Sequence, residues 1–150
     1  SNTTAKIEVL LSNLNWSKER ERDYLEQTYG PTMQMRSLLD EEKLLDFQQY
    51  LEALEKVTAK IKAIGWKPKQ EKDYLKNHQE GRSREELSAD ELTEFLEYLE
   101  IFDRITEKIK ELGWTNEQGK NYLNDNYGVK ARTGLSREKL QDFLLYLETL

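Results

Sequence analysis

Cysteine is absent from this 150-residue sequence, which also has only one histidine, two prolines and no long apolar run. Without cysteine, the chain forms no disulfide, has no thiol nucleophile and offers no thiolate ligand to a metal. The lone His78 cannot build a multi-histidine metal site, and no Ser-His-Asp pattern accompanies it, so we expect this side chain to be solvated. These shortages argue against the commonest catalytic and metal centres.

The sequence also lacks the signals of membrane insertion and export. No apolar stretch approaches the roughly 18 residues of a membrane-spanning helix, and no signal peptide is visible at the start. We therefore expect a cytoplasmic protein without a membrane partner.

A glycine-rich phosphate loop is missing as well, since Gly113 and Gly119 stand apart from other glycines. Carboxylates are plentiful, but most lie among lysines on predicted helix faces, as in solvated helices. We therefore predict that the protein is not an enzyme and has no catalytic residue, cofactor, metal or small-molecule substrate.

What the sequence does contain is one pattern repeated three times. Each copy has a Trp, a Tyr-Leu pair eight residues later, an Arg, a Leu and finally Phe-x-x-Tyr-Leu. The copies comprise Trp16, Tyr24-Leu25, Arg36, Leu39, Phe47 and Tyr50-Leu51; Trp66, Tyr74-Leu75, Arg84, Leu87, Phe95 and Tyr98-Leu99; and Trp114, Tyr122-Leu123, Arg132, Leu135, Phe143 and Tyr146-Leu147. Copies two and three are offset by 48 residues, whereas copies one and two are offset by 50 before the loop of copy one and by 48 after it. This period predicts tandem repeats over 1–54, 55–102 and 103–150.

Each copy is predicted to form three helices, because apolar residues recur at steps of three and four. Asn15, Gly65 and Gly113 precede the Trp residues and are typical of left-handed helix C-caps. Neither Gly nor Pro interrupts the apolar stripe between Asp40 and Gly65, and the second junction is similar. The third helix of one copy should therefore continue as the first helix of the next, over about 24 residues. We predict an elongated all-α array of three three-helix repeats of about 48 residues, with about seven helices; a kink near Glu55 or Asp103 is the alternative.

The repeated apolar residues are interpreted as core positions, because they fall at helical spacing in every copy. These residues are Trp16, Trp66, Trp114, Leu25, Leu75, Leu123, Phe47, Phe95 and Phe143. The alternative for each Trp is a role in stacking on a ligand or partner.

One arginine recurs in the polar loop of each copy, as Arg36, Arg84 and Arg132. A structural interpretation is that each guanidinium caps exposed carbonyl groups at a helix end or stacks on the nearby Trp. A functional interpretation is that each binds a phosphate or a partner carboxylate. Both remain open from the sequence alone.

Charge is unevenly distributed, although the net value is −6. Residues 56–84 hold nine basic and three acidic side chains, whereas residues 85–100 hold seven acidic and no basic ones. The two stretches either neutralise each other or present a basic patch to nucleic acid or an acidic protein. The candidate binding surface comprises Arg36, Lys67, Lys69, Lys72, Arg82, Arg84, Lys130 and Arg132.

The third copy carries a resemblance to a known kind of module. The stretch from Leu112-Gly-Trp to Tyr122-Leu123, with Tyr127-Gly128, Arg132 and the final Phe-x-x-Tyr-Leu, resembles a short three-helix repeat module. Such modules occur in uncharacterised bacterial and phage proteins and in the tails of single-strand-annealing recombination proteins. Copy two departs from the pattern after its second helix and copy one has an insertion in its loop, so if these loops bind a ligand, the third copy is expected to be the most typical binder.

Together, these features predict a non-catalytic helical-repeat protein that acts as a protein-interaction or scaffolding module. The alternative is an accessory DNA-binding module in recombination or repair. In that case, the phosphate contacts would come from Lys67, Lys69, Lys72, Arg82, Arg84, Lys130 and Arg132.

Overall fold

The computed structural model describes residues 2–150, and over these residues the fold is all-α, with seven α-helices and no strand. The helices are α1 Asn2–Asn13, α2 Lys18–Tyr29, α3 Glu41–Ile64, α4 Pro68–His78, α5 Ala89–Leu112, α6 Asn116–Tyr127 and α7 Arg137–Glu148. Three short 3₁₀ turns, here called Arg turns one to three, span Arg36–Leu38, Arg84–Glu86 and Arg132–Gly134. The predicted all-α class and number of helices are confirmed.

Helices α3 and α5 are the two long elements, with 24 residues each. Each has a length of about 36 Å at the usual rise of 1.5 Å per residue. The backbone stays helical through Glu55 and Asp103, where the sequence left a kink open. The prediction that the apolar stripes mark continuous helices is therefore confirmed.

The helix ends follow their local sequence signals. Asn15, Gly65 and Gly113 have φ values of 57°, 71° and 68°, as left-handed C-caps require. The N–H of Trp114 donates to the carbonyl of Ile109 over 3.1 Å, which satisfies a carbonyl at the end of α5. At the start of the next helix, α6, the Thr115 hydroxyl accepts from the N–H of Gln118 over 3.1 Å.

The chain divides into two compact units, one up to Lys56 and the other from Val57 onwards. The core of the first unit includes Ile7, Leu25 and Phe47, each fully buried. The second unit contains α4 to α7, and α5 packs against α7 within it. Its fully buried side chains include Leu92, Phe95, Leu99, Ile105, Leu140, Phe143 and Leu147. The repeat boundaries at 54 and 102 stay a prediction.

None of the helices formed by residues 2–150 has the length and apolar character needed to cross a membrane.

Candidate ligand-binding site

Arg36, in the first unit, is enclosed by two carboxylates. Its Nη1 lies 2.5 Å from Oε2 of Glu8 on α1, and its Nε lies 2.5 Å from Oε2 of Glu21 on α2. Burial raises the pKa of the Glu21 carboxyl, although the charge of Arg36 acts in the opposite direction. Arg36 thus joins the first two helices to the first Arg turn through ion pairs.

Arg84, in the second unit, has one carboxylate partner. Its Nε and Nη2 donate to the two oxygens of Glu71 over 2.7 and 2.6 Å, and its Nη1 donates to the Thr58 hydroxyl over 3.1 Å. This two-pronged geometry is the strongest form of arginine–carboxylate contact. Burial lowers the pKa of Arg84, but its hydrogen bonds and attraction to Glu71 outweigh this, so the pKa lies above its ordinary value.

Arg132 differs from both, because no carboxylate among residues 2–150 lies within ion-pairing distance of it. Its Nη1 donates to the Phe102 carbonyl over 2.9 Å and to the Thr106 hydroxyl over 2.8 Å. The guanidinium carbon lies 3.7 Å from the centroid of the Phe102 ring, which is a close cation–π contact. Burial lowers the pKa of Arg132 to about 10, although Tyr98 and the charge of Asp103 act in the opposite direction. The side chain therefore remains charged at neutral pH without an ion pair among the described residues.

The difference originates in two sequence positions. In the repeated pattern, Glu21 corresponds to Glu71 and then to Gly119. Likewise, Glu8 corresponds to Thr58 and then to Thr106. Among the described residues, the number of carboxylates that pair with the arginine therefore falls from two in copy one to one in copy two and none in copy three.

A pocket of about 540 Å³ adjoins Arg132 within the second unit. Its apolar lining includes Phe102, Ile109, Trp114, Leu123 and Phe143, and its basic lining consists of Lys69, Lys110, Lys120, Lys130 and Arg132. Asp73 is the only acidic residue of the lining described by the structure, and it pairs with Lys69 over 3.0 Å. An apolar floor with a basic rim suits a ligand that has an acidic group next to an apolar one.

Gly119 lines the pocket at the place that a glutamate has in the other copies. It lies inside α6, and a Cβ atom built on it meets no other atom within 4 Å. Because the site has room for a side chain, packing does not require the glycine. Helix propensity does not require it either, since Gly is about 1 kcal/mol less favourable than Ala in a helix.

Side chains of α4 and α5 hold the third Arg turn in place. The Tyr98 hydroxyl lies 2.8 Å from the carbonyls of both Arg132 and Leu135. The His78 Nε2 lies 3.0 Å from the Thr133 carbonyl, and its ring packs against the rings of Tyr74 and Tyr98. The expectation that His78 is solvated is wrong, because these contacts leave it half-buried.

The other residues of the predicted binding surface do not form one continuous site. Lys69 and Lys130 lie with Arg132 at the pocket described above, whereas Lys72, Arg82 and Arg84 line a different concavity. Arg82 pairs with Glu91, which joins the basic stretch to the acidic stretch that follows it. Lys67 is exposed just before α4 and lines neither pocket.

The predicted core residues are mostly buried. Leu25, Leu75, Leu123, Phe47, Phe95, Phe143 and Trp66 are all buried. Trp16 and Trp114 are only half-buried, and they meet Tyr24 and Tyr122 through ring contacts at 5.7 and 5.9 Å. Trp114 therefore combines a packing contact with a face on the pocket.

No group of three or more His, Cys, Asp or Glu side chains in the described part of the chain is placed to hold a metal ion. Comparison with known protein families, with curated proteins and with solved structures finds no match for this chain.

Proposed function

We propose that this protein is a non-catalytic protein-interaction or scaffolding module built from three tandem helical repeats of about 48 residues. The observation that carries this proposal is the pocket at Arg132, where aromatic side chains form the floor and lysines form the rim. Partly buried Trp and Arg side chains in a concavity, such as Trp114 and Arg132, are typical of the energetic centre of protein interfaces.

The helix positions support the repeat organisation. The two long helices have equal lengths, and each Arg turn precedes an α-helix by the same short segment. The left-handed caps before the three Trp residues also recur. Tandem repeats contact their neighbours and present side chains at regular intervals, which suits a scaffold.

A site-specific cross-linking experiment tests the interaction proposal. A photo-reactive amino acid replaces Lys110, an exposed residue of the pocket rim, and a matched variant carries it at Lys18, exposed on α2. In cells that make the protein, we expect the Lys110 variant alone to give a discrete protein adduct. Equal adducts at both positions, or none at either, would contradict an interaction at this pocket.

Binding to DNA is the second candidate, and the four lysines around one pocket favour it. Nucleic-acid binding through such side chains should weaken about tenfold or more between 50 and 200 mM salt. The informative variant is Lys69→Ala with Lys130→Ala, since both residues are exposed; Lys18→Ala with Lys62→Ala is the matched control. Arg84 is unsuitable for this test because its ion pair with Glu71 belongs to the fold.

A further inference from the structure

We propose that the pocket at Arg132 binds an acidic side chain, Glu or Asp, from a peptide segment of a partner protein. The ligand carboxylate would take the place beside Arg132 that Glu71 takes beside Arg84. This inference rests on the proposed interaction function and specifies the chemistry of the partner.

The unused edge of the Arg132 guanidinium supports this assignment. In Arg84, Nη1 donates to Thr58, while Nε and Nη2 donate to Glu71. In Arg132, Nη1 donates to the corresponding Thr106. Its Nε and Nη2 have no acceptor within hydrogen-bond distance among residues 2–150. The Nε and Nη2 donors, which bind a carboxylate in copy two, are therefore held in place and available in copy three.

Electrostatics also favours an anionic occupant. A buried or half-buried charge without a partner costs free energy, and an incoming opposite charge recovers part of this cost. Arg132 is fixed by its contacts with Phe102 and Thr106, so little conformational freedom is lost when a ligand binds. The nearby lysines attract an acidic segment before it docks.

The contacts of the equivalent arginines favour a carboxylate over a phosphate as the ligand of Arg132. The matching arginines, Arg36 and Arg84, both pair with glutamate inside this chain, so the equivalent arginine already binds a carboxylate in two of the three copies. The chain has a net charge of −6, which disfavours a polyanion such as nucleic acid. The adjacent rings of Trp114 and Phe102 further favour a peptide that carries an aromatic or aliphatic residue near its acid.

The test uses fluorescein-labelled 12-residue peptides with one central Glu and one Trp, Phe or Leu placed one to four residues away. Each peptide has a matched version with Gln in place of Glu. Fluorescence anisotropy with the full chain should show binding for a subset of the Glu peptides. Their Gln versions should bind at least tenfold more weakly.

Two variants supply the missing carboxylate from within the chain. Gly119→Glu copies Glu71, and Thr106→Glu copies Glu8, so each should weaken binding of the Glu peptides at least tenfold. Gly119→Ala is the matched control, because it adds a methyl group in open space and should keep the affinity within about threefold of the unmodified chain. Circular dichroism and thermal unfolding would show that each variant is folded.

Several results would overturn the assignment. These are the absence of any binding peptide, equal affinity for the Glu and Gln peptides, or binding that neither carboxylate variant weakens. A protein adduct at Lys110 is compatible with each of these results. If it is observed, the proposed interaction function stands even though the pocket does not bind an acidic side chain. Binding of inorganic phosphate or a dT20 oligonucleotide, without the Glu peptides, would assign the pocket to phosphate groups. Self-association that Gly119→Glu abolishes would assign it to a second copy of the chain.

Discussion

Three arginines of the same sequence pattern have three different electrostatic environments. Arg36 contacts two glutamates, Arg84 contacts one and Arg132 contacts none among the described residues. The arginine in each case holds its turn against the helices, so its structural role is shared. Only the third side chain keeps binding capacity for a group outside the chain.

Gly119→Glu should stabilise the protein by about 1–2 kcal/mol, because it removes a helix glycine and gives Arg132 a carboxylate. Gly119→Gln is the control for helix propensity and side-chain bulk. Urea unfolding at pH 7 measures the free energy of unfolding of both variants. The advantage of Glu over Gln should fall as pH is lowered and the carboxyl becomes protonated. A Gln variant as stable as the Glu variant at pH 7 would argue against the ion pair.

Glu71→Ala should destabilise the second unit by about 1–3 kcal/mol, because it leaves Arg84 half-buried and without its carboxylate. The matched control is Asp73→Ala, which breaks a pair whose lysine is 84% exposed. Such surface pairs contribute at most about 1 kcal/mol. Equal losses in the two variants, measured by denaturant unfolding, would contradict the importance of burial at Arg84.

Glu91 should give the protein an acid-sensitive contribution to stability. Hydrogen bonds from Arg82 and from the N–H of Ser88 lower the pKa of Glu91 to about 2, from an ordinary value of 4.5. Because the folded-state pKa is depressed, this contribution is present above about pH 4.5 and is lost as pH falls towards 2. Glu91→Gln should therefore unfold with a shallower pH dependence between pH 4.5 and 2. An unchanged slope in thermal unfolding would contradict this linkage.

Much of the helix layout follows from local signals. The unbroken apolar stripe between Asp40 and Gly65 predicted α3 as one helix, and Gly113 marked the end of α5. The Arg turns could not be predicted in the same way, because a three-residue 3₁₀ turn has no apolar periodicity. The placement of His78 was missed because its partners, Tyr98 and Thr133, are distant in sequence.

Two glycines separated by six positions should respond oppositely to alanine. Gly113 ends α5 with φ of 68°, where a Cβ atom is strained, so Gly113→Ala should cost about 1 kcal/mol. Gly119 lies inside α6 in open space, so Gly119→Ala should stabilise by up to about 1 kcal/mol. Thermal unfolding of the two variants checks the signs, and a shift in the same direction for both would contradict the assigned backbone roles.

For the molecule as a whole, the graded series of ion pairs leaves one of the three repeated arginines, Arg132, without a carboxylate partner among the described residues. Sequence comparison of the copies could have revealed this, since Gly119 replaces a glutamate present twice before. The signal was missed because Arg, Glu and Thr belong to different elements and their contact appears only in the fold. The pocket could not be predicted from the sequence pattern either, because its lining comes from α4, α5, α6, the third Arg turn and α7.

The three tryptophans provide a test of this selectivity, since each contributes one indole N–H signal to a ¹⁵N–¹H spectrum. Titration with a Glu peptide should shift the Trp114 signal, because that ring lines the pocket. The Trp16 and Trp66 signals should stay in place, and the matched Gln peptide serves as the control. Equal shifts of all three signals would indicate binding without preference for the third copy.

The continuity of α5 restricts how the chain can change in length. Phe95 and Tyr98 lie in the first half of α5. Phe102 and Thr106, which accept hydrogen bonds from Arg132, lie in its second half. One inserted residue would rotate everything after it by about 100°, because a helix has 3.6 residues per turn. The Arg132 contacts would then face away from their partners. Added length is therefore tolerable in the loops, as the two extra residues before the first Arg turn illustrate, but not within this helix.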